Sequence, residues 1–284
     1  MRIGVCNELF KDWPIDRVFS YAAELGYNGV ELAPFTLGET AFDISAADRS
    51  RIRRAAESAG VEIVGLHWLL VKPAGLYINH PDQEIRTRTH SCLEALIDLC
   101  ADLGGKVLVH GSPNQRNVQD GWDPAEAWNR ARETFEICAQ AAGTRGVFYC
   151  LEALTTADTN FINSFEEALR MVNEIDHPNF QTMFDCRSMS AGLGGNPSRA
   201  LEKALESGKL KHVHINDSNG RGPGFGDLQF APVLKILIDG HYAGYISVEV
   251  FDFAPDPETI ASRSIGYLHG LCESLGHPVK RAGF

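Results

Sequence analysis

Basic residues are the scarce class in this chain: 26 lysines and arginines stand against 37 aspartates and glutamates, a formal net charge of −11. No polybasic block gathers the few that are present. An acidic surface repels nucleic acid and anionic membranes, so neither is expected as a partner. No apolar run approaches the length of a membrane span. The first residues, Met1–Val5, enter a strand-like run at once; this leaves no room for a signal peptide and makes a cytoplasmic location the expectation. Cysteine pairs with metal or redox spacing are also missing. The seven cysteines contain no CxxC and sit mostly in apolar stretches such as Val147–Cys150, so reduced, buried thiols are expected. No low-complexity segment and no Pro/Gly/Ser-rich linker interrupts the 284 residues, which read as a single domain, 1–284.

What is present is an alternation. Short β-branched runs at Arg2–Asn7, Gly29–Pro34, Glu62–Leu69, Lys106–Ser112, Val147–Leu154, Gln181–Cys186, Leu210–Asp217 and Gly244–Val250 read as strands. Helical patterns separate them: Pro14–Leu25, Ala46–Gly60, Ile85–Gly104, Asp123–Ala142, Ser164–Ile175, Pro197–Ser207, Gln229–Asp239 and Pro257–Ser274. Alternating β and α units imply a parallel sheet, and eight units in under three hundred residues point to the closed (β/α)₈ TIM barrel. The competing architecture is an open doubly wound sheet. Against it, the loop after the first strand reads Cys6-Asn7-Glu8-Leu9-Phe10, with no GxGxxG.

A (β/α)₈ barrel builds its site at the C-terminal ends of the strands. The polar residues at those ends are Glu31, His67, His110, Glu152, Asp185, His214 and Glu249. Closure of the barrel brings these four acids and three histidines towards one mouth. Clustered carboxylates in a low dielectric repel, so protons or a cation must neutralise them. Three carboxylates with one imidazole suit a single hard or borderline divalent ion: Mn²⁺ first, with Mg²⁺ and Co²⁺ as alternatives. A closed cysteine-based zinc site does not fit. His212, two residues before His214, reads as structural at a deeper layer.

Four motifs then stand in order at strand ends: Glu152 followed by a polar turn to Asn163-Ser164; Asp185; His214-Ile215-Asn216-Asp217-Ser218-Asn219 with its Gly-rich continuation; and Glu249. In these the chain resembles the xylose isomerase-like barrel superfamily of sugar isomerases and epimerases. Within it, the chain is most similar to the ketose 3-epimerases of the D-tagatose/D-psicose 3-epimerase group. The resemblance implies that Glu152, Asp185, His214 and Glu249 hold one metal ion and that Glu152 and Glu249 are the acid–base pair. It implies proton abstraction next to a ketose carbonyl through an enediolate, with the proton returned to the opposite face. A small sugar or polyol is the implied substrate, and a homodimer or homotetramer the implied assembly.

The chain departs from that pattern in the residues expected to touch substrate. Ser188 stands where the epimerases usually carry a histidine, Asp158 where they carry a glutamate, and Gly220 where they carry an arginine, with Arg221 one position later. The expected substrate shell is therefore His67, Trp68, His110, Asp158, Ser188, Asn219 and Arg221. Trp68 reads equally as a sugar-stacking platform or as core. Phe10 and Trp13, in the first loop, are candidates to close the pocket. The loop Gly220–Gly226 offers backbone N–H groups to a phosphate, but neither a P-loop nor a basic cluster accompanies it. A lyase or dehydratase resembling inosose dehydratase is the alternative reading. An apurinic endonuclease-like enzyme and a non-catalytic sugar-binding barrel rank below both. The tail Pro278–Phe284 is expected to be an exposed extension or an interface arm.

Overall fold

The alternating pattern closes on itself. The computed structural model describes residues 1–191 and 196–282. Its strands are β1 (Arg2–Cys6), β2 (Gly29–Leu32), β3 (Glu62–Leu66), β4 (Val107–His110), β5 (Phe148–Leu151), β6 (Phe180–Asp185), β7 (Leu210–Ile215) and β8 (Tyr245–Val248). They pair in parallel in chain order, and β8 returns to β1 with Arg2 opposite Tyr245 and Val5 opposite Val248. With a neighbour on both sides of β1, the open-sheet alternative is excluded. The helices around the barrel are α1 (Ile15–Leu25), α2 (Ala46–Ala59), α3 (Gln83–Leu103), α4 (Pro124–Arg145), α5 (Phe165–Ile175), α6 (Cys186–Ser190), α7 (Ser198–Glu206), α8 (Phe230–Asp239) and α9 (Pro257–Ser274). None of the described helices is long and apolar enough to cross a membrane.

Both faces of the strands are covered, which is why they read as near-continuous apolar runs. Ile3, Val5, Leu32, Leu108, Phe184, Val213 and Val248 pack outward against the helices. Val64, Val107, Val109, Cys150, Met183 and Tyr245 fill the lower barrel interior. Close approach of β3 to β4 depends on Gly65, where a Cβ would stand 1.9 Å from the Val107 carbonyl oxygen. The helices start and stop where local chemistry directs. Asp82, Asp123, Ser164 and Asp256 cap N-termini with their side chains, and Gly60, Gly104 and Gly146 close C-termini in the left-handed conformation.

Three expectations are corrected. The third strand stops at Leu66 rather than Leu69, because Trp68 turns the backbone to φ 53° while Leu69 and Leu70 stay buried under the following loop. A short helix, α6, follows β6 directly, capped by Asp185, whose side chain accepts from the Ser188 N–H. The tail is exposed at Pro278, Lys280 and Arg281, as expected, but docked rather than extended: Asn28 donates to the Lys280 carbonyl at 2.7 Å, Arg281 Nε lies 3.0 Å from His269 Nδ1, and Val279 packs against the core. These residues cover the N-terminal end of the barrel, opposite the strand ends where a site is expected. The last two residues of that segment, 283–284, lie outside the described residues.

Candidate metal centre and substrate cavity

Side-chain period two selects the residues that reach the mouth. On β5 Cys150 faces inward, so Glu152 does too; on β6 Met183 and then Asp185; on β8 Tyr245 and, two steps of two later, Glu249. His214 arrives from β7 in register with Asp185. Glu152, Asp185, His214 and Glu249 each bring one ligand atom to within 4.8 Å of the others, and all four are buried. The opposing position after β4 is Gly111. A Cβ there would stand 1.8 Å from Glu152 Oε2, so the glycine supplies the room that the carboxylate occupies.

Burial is the first force on the two glutamates and raises both carboxyls; repulsion from Glu249 and Asp185 raises Glu152 further. His214 Nδ1 and Glu249 Oε2 are 3.0 Å apart without hydrogen-bond alignment, and neither atom has another partner. Buried polar atoms left in this state are costly. Three carboxylates and one imidazole, with His214 Nδ1 and Glu249 Oε2 left without a hydrogen bond, fit a divalent cation of the Mg²⁺/Mn²⁺ type.

A second set of residues holds that quartet in place. Glu31 is fully buried, with Oε2 2.7 Å from His212 Nε2 and Oε1 3.1 Å from His214 Nε2. Burial alone would raise its carboxyl, but the two imidazoles hold it well below the usual carboxylate range. His214 is thus oriented from its far nitrogen, leaving Nδ1 to face the quartet. His212 occupies the deeper layer, as its spacing implies. Asp185 accepts from the Ser188 N–H at 2.6 Å and from Asn216 Nδ2 at 2.7 Å. Arg116 is fully buried and donates to the backbone carbonyls of Glu152 (2.7 Å), His110 (2.6 Å) and Ser112 (3.3 Å), tying the ends of β4 and β5 together.

A cavity of about 190 Å³ opens on the quartet, with Glu152, Glu249, His67, Trp68, Asp158 and Ser188 on its lining. Four members of the expected substrate shell are therefore brought together. Three are not. His110 follows inward-facing Val109, so it points outward: its ring meets Phe135 of α4 edge-on and its Nδ1 lies 2.7 Å from the Tyr149 hydroxyl. Asn219 donates to the Phe225 carbonyl and accepts from the Arg221 N–H, and Arg221 pairs with Asp252 at 2.8 Å; both are spent on the loop after β7. That loop is no phosphate cradle either. The N–H groups of Gly224, Gly226 and Leu228 all donate to the Asp217 carboxylate, which fills the place an anion would take.

Sequence reading overlooked several residues of the site. Glu8, in the turn after β1, puts Oε2 2.8 Å from His67 Nε2 and leaves Oε1 buried with no partner. Arg187 lines the small cavity, 3.8 Å from Asp158 and over the Phe251 ring. Glu8 directly follows a strand whose end is marked by no charge pattern, so its position at a strand end was the only available signal. Trp68 is half-buried in its left-handed conformation, which costs a bulky residue about 1–3 kcal/mol. Its ring lies edge-on to Phe251, centroids 6.2 Å apart, at the cavity wall.

The class the fold and site define is a closed (β/α)₈ barrel with a carboxylate-rich cluster, able to hold a metal ion, at its strand ends. The comparison with known proteins is specific: the Xylose isomerase-like TIM barrel model matches residues 19–271, and the chain belongs to that family. It is similar to fructoselysine 3-epimerase of Shigella flexneri, 24% identical over 279 residues that cover 95% of this chain and 98% of that protein. It is also similar to D-psicose 3-epimerase of Ruminiclostridium cellulolyticum, 26% identical over 250 residues, 85% of this chain and 80% of that protein. Among solved structures, the 3-keto-D-glucoside 4-epimerase of E. coli shares the fold with a TM-score of 0.80 at 23% identity, covering 95% of this chain and 99% of that one.

Proposed function

We propose that this protein is a metal-dependent sugar epimerase that inverts a carbon next to a ketone, with Glu152 and Glu249 as the acid–base pair. The observation that carries the reading is the quartet: Glu152, Asp185, His214 and Glu249 within 4.8 Å, with both glutamates on the wall of one small cavity. Curated relatives that align along most of the chain are named epimerases of keto-sugars, and an isomerase of the epimerase kind is the enzyme class they support.

Glu152, Asp185, His214 and Glu249 would hold one divalent ion, Mn²⁺ in the first instance. That ion, when bound, supplies positive charge against the carbonyl oxygen of the substrate and so acidifies the neighbouring C–H. The side chains do the rest. Glu152 and Glu249 come from the ends of β5 and β8, with β6 and β7 between them on one side and β1 to β4 on the other, and both line the small cavity. One carboxylate takes the proton and the other returns one to the opposite face. Burial keeps both carboxyls basic enough for the exchange. Asp158, Arg187 and His67 offer polar atoms to the sugar hydroxyls, and Trp68 offers an apolar face to its C–H side. Ser188 leaves space where a histidine is usual in the family it resembles, so the substrate contacts of this chain are its own.

An endonuclease-like use of the site is opposed by the structure as well as by charge: His110 turns into the helical layer, and Ser188 brings no imidazole. The test combines metal content with hydrogen exchange. Purified protein is assayed for bound metal, then incubated in D₂O with D-fructose, D-tagatose, inosose and methyl 3-keto-glucoside, beside Glu249→Gln. Deuterium entering next to the carbonyl in the metal-loaded wild type alone is the expected result. The labelled product separates epimerisation from isomerisation and from loss of water. Bound metal without exchange on any substrate would sink the reading.

A further inference from the structure

A second cavity, about 940 Å³, adjoins the small one: Trp68 and Phe251 line both. No member of the metal quartet lies on its wall. Its walls are aromatic instead: Phe10, Trp13 and Phe35 on the side of β1 and β2, Trp68, Phe251 and Phe253 on the other. Among the described residues four large apolar side chains are exposed, and three of them, Val71, Phe251 and Phe253, stand on this groove. Exposed apolar residues gathered in one concavity mark a binding surface. The groove is also deeper than a monosaccharide needs, since cavities of about 300–1,000 Å³ enclose drug-sized ligands.

We propose that this groove is an aglycone subsite, and that the substrate is a keto-glycoside carrying an apolar, ring-bearing substituent rather than a free ketose. The inference rests on the epimerase reading and names its substrate class. A free ketose presents a hydroxyl or carbonyl at every carbon, and burying those against Phe10, Trp13 and Phe253 without hydrogen bonds is unfavourable. The polar atoms are placed to keep the sugar out of the groove and in the small cavity. Glu8 Oε1 is buried without a partner at the inner end of the groove, within reach of a sugar hydroxyl at the junction. Trp68, held in its left-handed conformation, sets its ring between the two compartments. The lining holds one basic residue, Lys11, against Asp12 and Glu8, so the groove offers no basic cluster to an anionic substituent.

The test uses unreactive glycosides on the metal-loaded protein. Phenyl and methyl D-glucopyranosides, both anomers of each, are titrated by calorimetry, with tryptophan fluorescence as a second readout because Trp13 and Trp68 line the groove. Phenyl glycoside is expected to bind at least about tenfold more tightly than methyl. Phe253→Ser and Trp13→Leu are expected to cut that ratio at least threefold. Equal affinity of the two glycosides overturns the proposal, even where deuterium exchange on free ketoses upholds the epimerase reading. Phenyl preference without exchange on any keto-sugar, including the methyl 3-keto-glucoside, upholds the subsite and removes the epimerase. Tighter binding of a fructosyl-lysine conjugate than of the phenyl glycoside overturns it in favour of an amino-acid substituent. No phenyl preference, with Phe253→Ser shifting a dimer to monomer in light scattering, overturns it in favour of a second copy of the chain.

Discussion

Oε1 of Glu31 lies 3.1 Å from Nε2 of His214, on the side of the imidazole turned away from Glu249. The same carboxylate reaches His212 through its other oxygen at 2.7 Å. A ligand histidine whose far nitrogen is held by a carboxylate is fixed in orientation and tautomer. Glu31→Gln keeps the volume but halves this control. Metal affinity is expected to fall by about 10–100-fold, with the fold retained. Competition with a chromogenic chelator measures it; unchanged affinity would show that His214 is oriented by packing alone.

Gly111→Ala is expected to damage catalysis more than folding. The new methyl would stand 1.8 Å from Glu152 Oε2, and a flexible carboxylate end yields more readily than the β4 backbone. Displacing a reacting group by about 1 Å is enough to cost about 10²-fold in rate. The check is kcat for proton exchange against thermal midpoint. A large fall in midpoint with kcat preserved in the folded fraction contradicts the argument.

On the proposed mechanism, Glu152→Gln and Glu249→Gln each remove one of the two proton carriers. Each is expected to lower exchange by about 10²–10⁴-fold. Because the two act in sequence on one carbon, the double variant should be little worse than either single one. Additive losses in the double variant would show that the two glutamates do not work as a pair.

Arg116→Met tests how the ends of β4 and β5 are held. The guanidinium serves three backbone carbonyls in full burial, and desolvation lowers its pKa to about 10. Losing it strips the Glu152 and Ser112 carbonyls of this donor, while the His110 carbonyl keeps the Glu152 N–H, at a cost of about 2 kcal/mol or more. Denaturant midpoints report this directly. A loss below about 1 kcal/mol would mean that water replaces the side chain.

Asp102 joins three helices: Arg49 of α2 at 2.8 Å and Arg145 of α4 both reach its carboxylate from α3. Partial burial pushes its carboxyl up, and the two guanidiniums outweigh that, holding it below the ordinary value. A depressed folded pKa contributes stability above the unfolded value, about 3.9, and loses it as pH falls through the folded one. The carboxylate is 40% exposed, so solvent screening keeps the contribution under about 1 kcal/mol. Asp102→Asn is therefore expected to lower the thermal midpoint at pH 7, and by progressively less as pH falls below about 4. The pH 7 difference should shrink in 1 M salt.

Much of this molecule is written locally. Eight apolar runs separated by capped helices point to a parallel sheet covered on both faces, and the count of eight units favours the barrel; the pairing of β8 with β1 closes it. Glu152, Asp185, His214 and Glu249 were legible for the same reason. Each sits at a strand end, and barrel closure sends such ends to one mouth. The limits of that legibility are just as local. His110 ends a strand as plainly as His214 does, yet a one-residue offset within the run puts it on the opposite face, and only pairing with neighbours sets that phase. Asn219, Arg221 and the Gly-rich loop read as ligand contacts because their amide and guanidinium chemistry is suited to ligands. Tertiary structure spends it on Phe225, Asp252 and Asp217 instead.

What the chain determined by itself is therefore the alternation that builds the barrel and the seven strand-end candidates, since both follow from periodicity along single strands; the motif resemblance singled out Glu152, Asp185, His214 and Glu249 among them. What only the tertiary structure decided is how that centre is held and what lies beside it. Glu31 meets His214 across 183 positions, Glu8 meets His67 across 59, and the aromatic groove is assembled from the loops after β1, β2, β3 and β8. Hydrogen bonds and cavities depend on distances between segments, and no pattern within one segment encodes them.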